Sequence, residues 1–145
     1  MRFQSNRSSC GPAALHNALA ALGITRSEEE LITLTKQTPD GASARQLLKA
    51  LKTINTPALG LKAIAARWRS GDDAIVGLWW NVREHGRPTI LCVDAFEHWV
   101  ACTGHLGKRF AVMDSADNRL AIYYTHEELL ARWEGPDGGF HAIIV

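Results

Sequence analysis

Cys10 opens the run Cys10-Gly11-Pro12-Ala13-Ala14-Leu15, whose composition predicts a helix beginning at the cysteine. A helix N-terminus carries roughly half a positive charge in dipole terms and offers unpaired N–H groups. Both favour the thiolate, the nucleophilic form of cysteine. Gly11, without a side chain, is expected to let a substrate backbone approach closely. Cys92 and Cys102 lie instead in apolar, strand-like runs and read as small buried hydrophobes. Three cysteines do not make a disulfide framework, and no Cys-x-x-Cys or Cys-x-His spacing suggests zinc, so no metal or cofactor is expected.

A thiol nucleophile needs a base, and His98 is the best placed of the six histidines because it begins the apolar run His98-Trp99-Val100-Ala101-Cys102. His141, at the start of the last apolar run, is its main rival. His16, His85, His105 and His126 fall inside a helix, beside helix ends or near a turn, and are expected to face solvent or cap termini.

The base in turn needs an acceptor on its second ring nitrogen. Leu106-Gly107-Lys108 is short enough for a hairpin, and a turn centred on Gly107 places residue 98 opposite residue 116. Asp114 is then its diagonal neighbour on the same face, about 7–8 Å away at Cα. A turn centred on residue 106 puts 98 directly opposite 114, whereas a half-step register separates their faces. Gln4, six positions before Cys10, carries a carboxamide that, with the Cys10 backbone N–H, would supply oxyanion donors for acyl transfer. Asp94 and Glu97 read as solvated loop residues, and most of the five tryptophans as core anchors.

The elements that must hold these residues follow from pattern. Helices are predicted over 10–22, capped by Ser9 and stopped by Gly23, over 27–37 with Ser27 and Glu30 as a capping box, and over 43–54 with Leu47, Leu48 and Leu51 on one face. The Ala/Leu-rich first helix is apolar nearly all round, as a buried helix is. Thr38-Pro39-Asp40-Gly41 is a turn. A strand over 60–68 and a helix over 72–85 come next. From Pro88 the pattern is mostly β, with strands at 89–93, 98–105, 109–114 and 120–125. A last helix capped by Thr125 and Glu128 runs to Trp133, and a closing strand covers 140–145. Helices first and a mostly antiparallel sheet second make an α+β fold, expected as a single domain over 1–145.

Composition bounds the partners. The 145 residues carry 16 Lys and Arg against 15 Asp and Glu, a formal charge of +1. Nucleic acid is not an expected partner, because phosphate binding needs clustered basic charge. No apolar run approaches the ~20 residues that span a bilayer, and no signal-peptide core follows Met1. A cytoplasmic protein is expected, with secretion as an effector left open.

Gln4, Ser9-Cys10-Gly11-Pro12-Ala13-Ala14-Leu15, His98-Trp99-Val100 and Val112-Met113-Asp114-Ser115 together resemble the C39 and C39-like branch of papain-fold cysteine peptidases. The resemblance covers nearly the whole chain. It implies a papain-like fold, a bacterial thiol hydrolase acting on a peptide or protein substrate, and a centre made of Cys10, His98, Asp114 and Gln4. The chain departs from the bacteriocin-processing members at Ser9, where they usually have Asp, at Ala13-Ala14, where a Cys or Thr is usual, and at Asp114-Ser115, where Asp-Pro is frequent. Those members are usually fused to a transporter. A papain-fold acyltransferase or deamidase, and a silent domain that binds a leader peptide, are the alternative readings; oligomeric state is not legible.

Overall fold

The computed structural model describes residues 9–39, 41–117 and 119–145. Three helices come first: α1 (Cys10–Ala21), α2 (Glu28–Thr35) and α3 (Ala44–Ile54). Nine of the twelve α1 residues are buried, as its apolar circumference predicts. Ser9 does not cap α1 with its side chain, contrary to expectation, because its backbone is not in the extended conformation an N-cap needs. Gly23, at φ 78°, ends the helix by donating its N–H to the Ala20 carbonyl at 2.9 Å. Ser27 accepts the Glu30 N–H at 3.1 Å and opens α2 on three acidic residues, a favourable first turn. Ser43 and Gln46 form a reciprocal box at the head of α3. Leu47 and Leu51 are fully buried beneath it, each contributing about 1.5–3 kcal/mol.

The second half supplies β1 (Ile64–Trp68), α4 (Gly71–Trp79), a π-helical turn (Trp80–Glu84), β2 (Thr89–Val93), β3 (His98–Leu106), β4 (Arg109–Met113), β5 (Ile122–Thr125), α5 (His126–Trp133) and β6 (Phe140–Ile144). β1 starts later than the predicted residue 60 because Gly60 and Ala63 turn into the left-handed region, at φ 62° and 49°. The helix expected over 72–85 changes pitch after Trp79. The His85 N–H reaches the Trp80 carbonyl five residues back, and the Asn81 carboxamide donates to the Gly77 carbonyl. β5 is two residues shorter than expected, since the Arg119 N–H donates to the Asp117 carboxylate in a local turn. Thr125 and Glu128 cap α5 reciprocally, as predicted.

The six strands form one antiparallel sheet in the order β1-β6-β2-β3-β4-β5. Its two faces explain the apolar central strand. Ile90, Cys92, Trp99 and Ala101 face α1, α2 and α3, whereas Leu91, Val93, Val100 and Cys102 face α4 and α5. β2, covered on both sides, is buried at all five positions. Cys102 is fully buried and Cys92 nearly so, as small hydrophobes are.

Candidate active site

Three of the four residues expected to carry chemistry meet at one end of the sheet: Cys10 begins α1, His98 begins β3, and Asp114 follows β4. Gln4 lies outside the described residues. His98 Nε2 is 2.6 Å from Asp114 Oδ1. Cys10 is the second side-chain partner of His98, and with Nε2 taken by Asp114 the thiol meets the Nδ1 edge of the ring.

The register between β3 and β4 decides whether His98 and Asp114 can meet. Next to the turn, Leu106 pairs with Arg109, His105 with Phe110 and Gly104 with Ala111. That is the half-step register, and continued unchanged it would put residues 98 and 114 on opposite faces. It is not continued. Thr103 is an extra residue in β3, so that Cys102 pairs with Val112 and Ala101 with Met113. Beyond this bulge residue 98 faces residue 116, and Asp114 is its same-face diagonal neighbour.

Electrostatics follow from this placement. Burial alone would raise the Cys10 thiol. The hydrogen bond and charge of His98, with backbone N–H groups of Trp99 and Gly11, outweigh it and hold Cys10 below the ordinary thiol value. Burial would lower His98, but its bonds to Asp114 and Cys10 raise it to about 9. Both shifts favour the thiolate–imidazolium form of the pair. Asp114, although buried, is held well below the usual carboxylate range by His98, the Ala116 N–H and Arg132. Burial pushes Cys92 and Cys102 up to about 12, so neither is a nucleophile.

Asp114 also keeps the turn role its sequence position suggests, since Oδ1 accepts the Ala116 N–H at 3.0 Å. Its second oxygen accepts from Arg132 Nη1 at 2.8 Å, and the same guanidinium forks onto Asp94 at 2.9 and 2.8 Å. Asp94 is thus tied to the site rather than simply solvated. Arg132 went unnoticed in the sequence because a basic residue in the last turn of a helix reads as a dipole partner; only the sheet order brings α5 beside Asp114.

Packing gives Gly11 a second use: a Cβ there would lie 3.1 Å from the Ala42 Cβ and 3.2 Å from Leu47 Cδ2, so the seat of α1 also favours a glycine. His141, the rival base, bonds Asp137 at 2.8 Å and stacks edge-on against Phe96, whereas the histidine that acts on Cys10 is His98. His105 and His126 approach each other to 3.0 Å, His16 donates to the Arg26 carbonyl, and His85 lies edge-on to Trp80.

A groove of about 420 Å³ opens beside the thiol, walled by Pro39, Gly41, Ala42, Phe96, Glu97 and Trp99. A neighbouring apolar hollow of about 290 Å³ shares Ala42, Phe96 and Trp99. Trp99 is locked by its indole N–H on the Ala42 carbonyl at 2.9 Å. Glu97 is an exposed turn residue, as expected, and also borders the groove. Among the described residues, no three His, Cys, Asp or Glu side chains gather to hold a metal ion, and no helix is long and apolar enough to cross a membrane.

Helices and an antiparallel sheet that bring a helix-start cysteine to a strand histidine define the papain-like class. The sequence matches the model of the peptidase C39 family over residues 1–136, and the chain belongs to that family. Membership supports a cysteine peptidase. The fold is similar to that of the peptidase domain of Streptococcus ComA, a bi-functional ABC transporter of a quorum-sensing pathway, at 17% identity and TM-score 0.70 over 99% of this chain and 96% of that one. It is similar also to a double-glycine-motif protease from an AMS/PCAT transporter solved with its leader peptide, at 23% identity and TM-score 0.69 over 98% and 87%. A C39-like peptidase from Bacillus anthracis matches at 15% identity and TM-score 0.70, over 100% and 93%. No curated protein matches the chain significantly.

Proposed function

We propose that the chain is a single-domain peptidase, over residues 1–145, that hydrolyses a peptide bond through Cys10, His98 and Asp114. The observation that carries the reading is the chain of contacts from Asp114 through His98 to a thiol at the head of a buried helix. The Cys10 thiolate attacks the carbonyl carbon, and the oxyanion is held by the Cys10 backbone N–H and the Gln4 carboxamide. His98 gives its proton to the leaving amine as the C–N bond breaks, leaving an acyl thioester. His98 then takes a proton from water, whose oxygen attacks the thioester, and the acid and the free thiol are released. Asp114 keeps the imidazole in the productive tautomer and orientation.

The substrate class we propose is a leader-type peptide with small residues at the cut. Gly41 and Ala42 on the groove wall leave room for a backbone to lie close to the thiol, and a structural neighbour is a double-glycine-motif protease with its leader peptide. Three free cysteines suit a reducing compartment, which supports work in the cytoplasm.

The test is alkylation of folded protein by iodoacetamide at neutral pH, with the modified residue located by mass spectrometry. Cys10 is expected to react rapidly with Cys92 and Cys102 spared, and a leader peptide containing two glycines to be cut by the native chain and left intact by Cys10→Ala. Gln4→Ala is expected to slow turnover by about 10²–10³. A Cys10 no more reactive than a free thiol overturns the reading. A product heavier by one dalton, or an acyl group moved to an amine, would make the enzyme a deamidase or transferase.

A further inference from the structure

Arg132 joins two parts of the molecule that the mechanism above treats separately. Its Nη1 donates to Asp114 Oδ2 at 2.8 Å and to the Tyr124 hydroxyl at 3.0 Å. Its Nε and Nη2 form a two-pronged bond to the Asp94 carboxylate. Asp114 Oδ1 is already occupied by His98 and the Ala116 N–H, so with Arg132 both carboxylate oxygens are held and the group cannot swing away from the imidazole. The Asp114 side chain is only 5% exposed and that of Arg132 22%, a setting in which charge-assisted bonds are strong.

The second arm reaches the groove. Asp94, Ala95 and Phe96 stand consecutively in the left-handed region, at φ 54°, 56° and 72°. Side-chain-bearing residues disfavour that region, so a run of three persists only when tied down. The ties are Arg132 on the Asp94 carboxylate, the Asp94 N–H on the Arg132 carbonyl at 3.1 Å, and the Glu97 N–H on the Asp94 carbonyl at 3.1 Å. Two of the three involve Arg132. The same segment delivers Phe96 and Glu97 to the groove wall and His98 to the thiol.

We propose that Arg132 is a positioning residue that, through one guanidinium, fixes Asp114 behind His98 and holds the 94–96 backbone that shapes the groove. The proposal rests on the peptidase reading and adds to it a residue that touches neither substrate nor thiol. From Cys10 through His98, Asp114 and Arg132 to Asp94, charges alternate in sign along the row, so each member favours the ionised form of the next. Among the described residues, the Tyr124 hydroxyl from β5 also touches the guanidinium, and Asp117 acts by charge on Asp114. A lysine at 132 can neutralise one carboxylate but lacks the fork that engages two.

Two reagents separate the arms in the full chain: iodoacetamide, too small to feel the groove, and a Gly-Gly chloromethyl ketone, which must lie in it. Rates of Cys10 alkylation are measured from pH 5 to 9.5 for the native chain, Asp94→Asn, Arg132→Lys and Arg132→Gln. Asp94→Asn is expected to move the iodoacetamide profile much less than Arg132→Gln does and to lose fivefold or more of the peptide reagent's advantage. Arg132→Gln is expected to lose that advantage and also to move the thiolate limb up towards that of a free thiol, with peptide turnover down tenfold or more. Arg132→Lys is expected to recover the iodoacetamide profile and not the peptide preference. Should Arg132→Gln fold poorly, Arg132→Lys and Asp94→Asn decide: each is expected to keep fast iodoacetamide alkylation while losing the peptide reagent's advantage. Variants that lower only the melting temperature, with both alkylation readouts at native values, overturn the Arg132 assignment alone. A native Cys10 that reacts like a free thiol overturns the peptidase reading and this one with it.

Discussion

His98 and Asp114 share a face of the sheet because Thr103 interrupts the pairing between the strands that carry them. The two-residue turn at Gly107-Lys108 sets a register in which the pair would point apart, and one additional residue in β3 reverses it. The bulge is a backbone device, so its side chain matters less than its presence. Thr103→Ala is expected to keep turnover within about threefold and stability within about 0.5 kcal/mol, as for an ordinary half-exposed substitution. Deletion of Thr103 is expected to remove fast Cys10 alkylation and turnover together, because His98 then lies across the sheet from Asp114. Alkylation kinetics on the two variants check this, and a deletion variant with native reactivity contradicts it.

The acid–base pair predicts two pH profiles that differ at the alkaline end. Cys10 titrates below the ordinary thiol value, and His98 is raised to about 9. Alkylation should rise through the lowered thiol value and stay high above pH 9, since the thiolate persists. Peptide hydrolysis should rise on the same limb but fall above about pH 9, when His98 has lost the proton it gives to the leaving amine. The stability linkage has a definite sign. The contribution of His98, raised from 6.5, is fully present below the unfolded value and disappears as pH climbs through about 9. That of Asp114, whose folded value is depressed, is present above its unfolded value of 3.8 and disappears as pH falls further. Parallel alkylation, hydrolysis and melting measurements across pH 3–10 test all three.

Much of this architecture was readable in the chain because local chemistry dictates it. Ser27 and Thr125 cap helices for reasons that need only their neighbours, and the α+β order follows from a change of period near Pro88. The closeness of His98 and Asp114 was readable up to a half-step of register, which a bulge resolves and no local motif announces. The packing use of Gly11 was not readable, because a small residue beside a nucleophile suits two purposes and the closeness of Ala42 and Leu47 comes from the fold. Arg132 and Asp94 are 38 residues apart and meet through the packing of α5 on the sheet, a relation absent from any window of sequence.

Gly77 offers a test of the far side of the sheet. A Cβ at this position would lie 2.5 Å from Trp68 Cε2 and Cζ2, and Trp68 is itself wedged edge-on against Trp133 at 5.7 Å. Helix propensity alone would make Gly77→Ala stabilising by about 1 kcal/mol. Overpacking against a large ring costs about 1–3 kcal/mol, so the net effect is expected to be destabilising. Trp68→Phe lacks the clashing atoms, and in that background Gly77→Ala should become neutral or stabilising. A thermal-unfolding double-mutant cycle measures the reversal; additive effects would contradict it.

Gly135 tests the groove from behind. A Cβ here would lie 2.3 Å from Phe96 Cε1 and 2.5 Å from Cζ, so Gly135→Ala must displace the Phe96 ring. That ring is 42% exposed and can move outward, which keeps the cost in stability small. It also walls the groove beside Cys10, and its displacement should change how a peptide lies there. Gly135→Ala is therefore expected to raise KM for a two-glycine leader peptide by about three- to tenfold, equivalent to roughly 0.7–1.4 kcal/mol of binding. Iodoacetamide should still alkylate Cys10 at the native rate, because His98 and Asp114 are undisturbed. Phe96→Ala in the same background should make the effect of the added methyl vanish, since the atoms it strikes are gone. A KM change that persists without the ring would mean that Gly135 acts through the Gly135–Gly139 turn and not through Phe96.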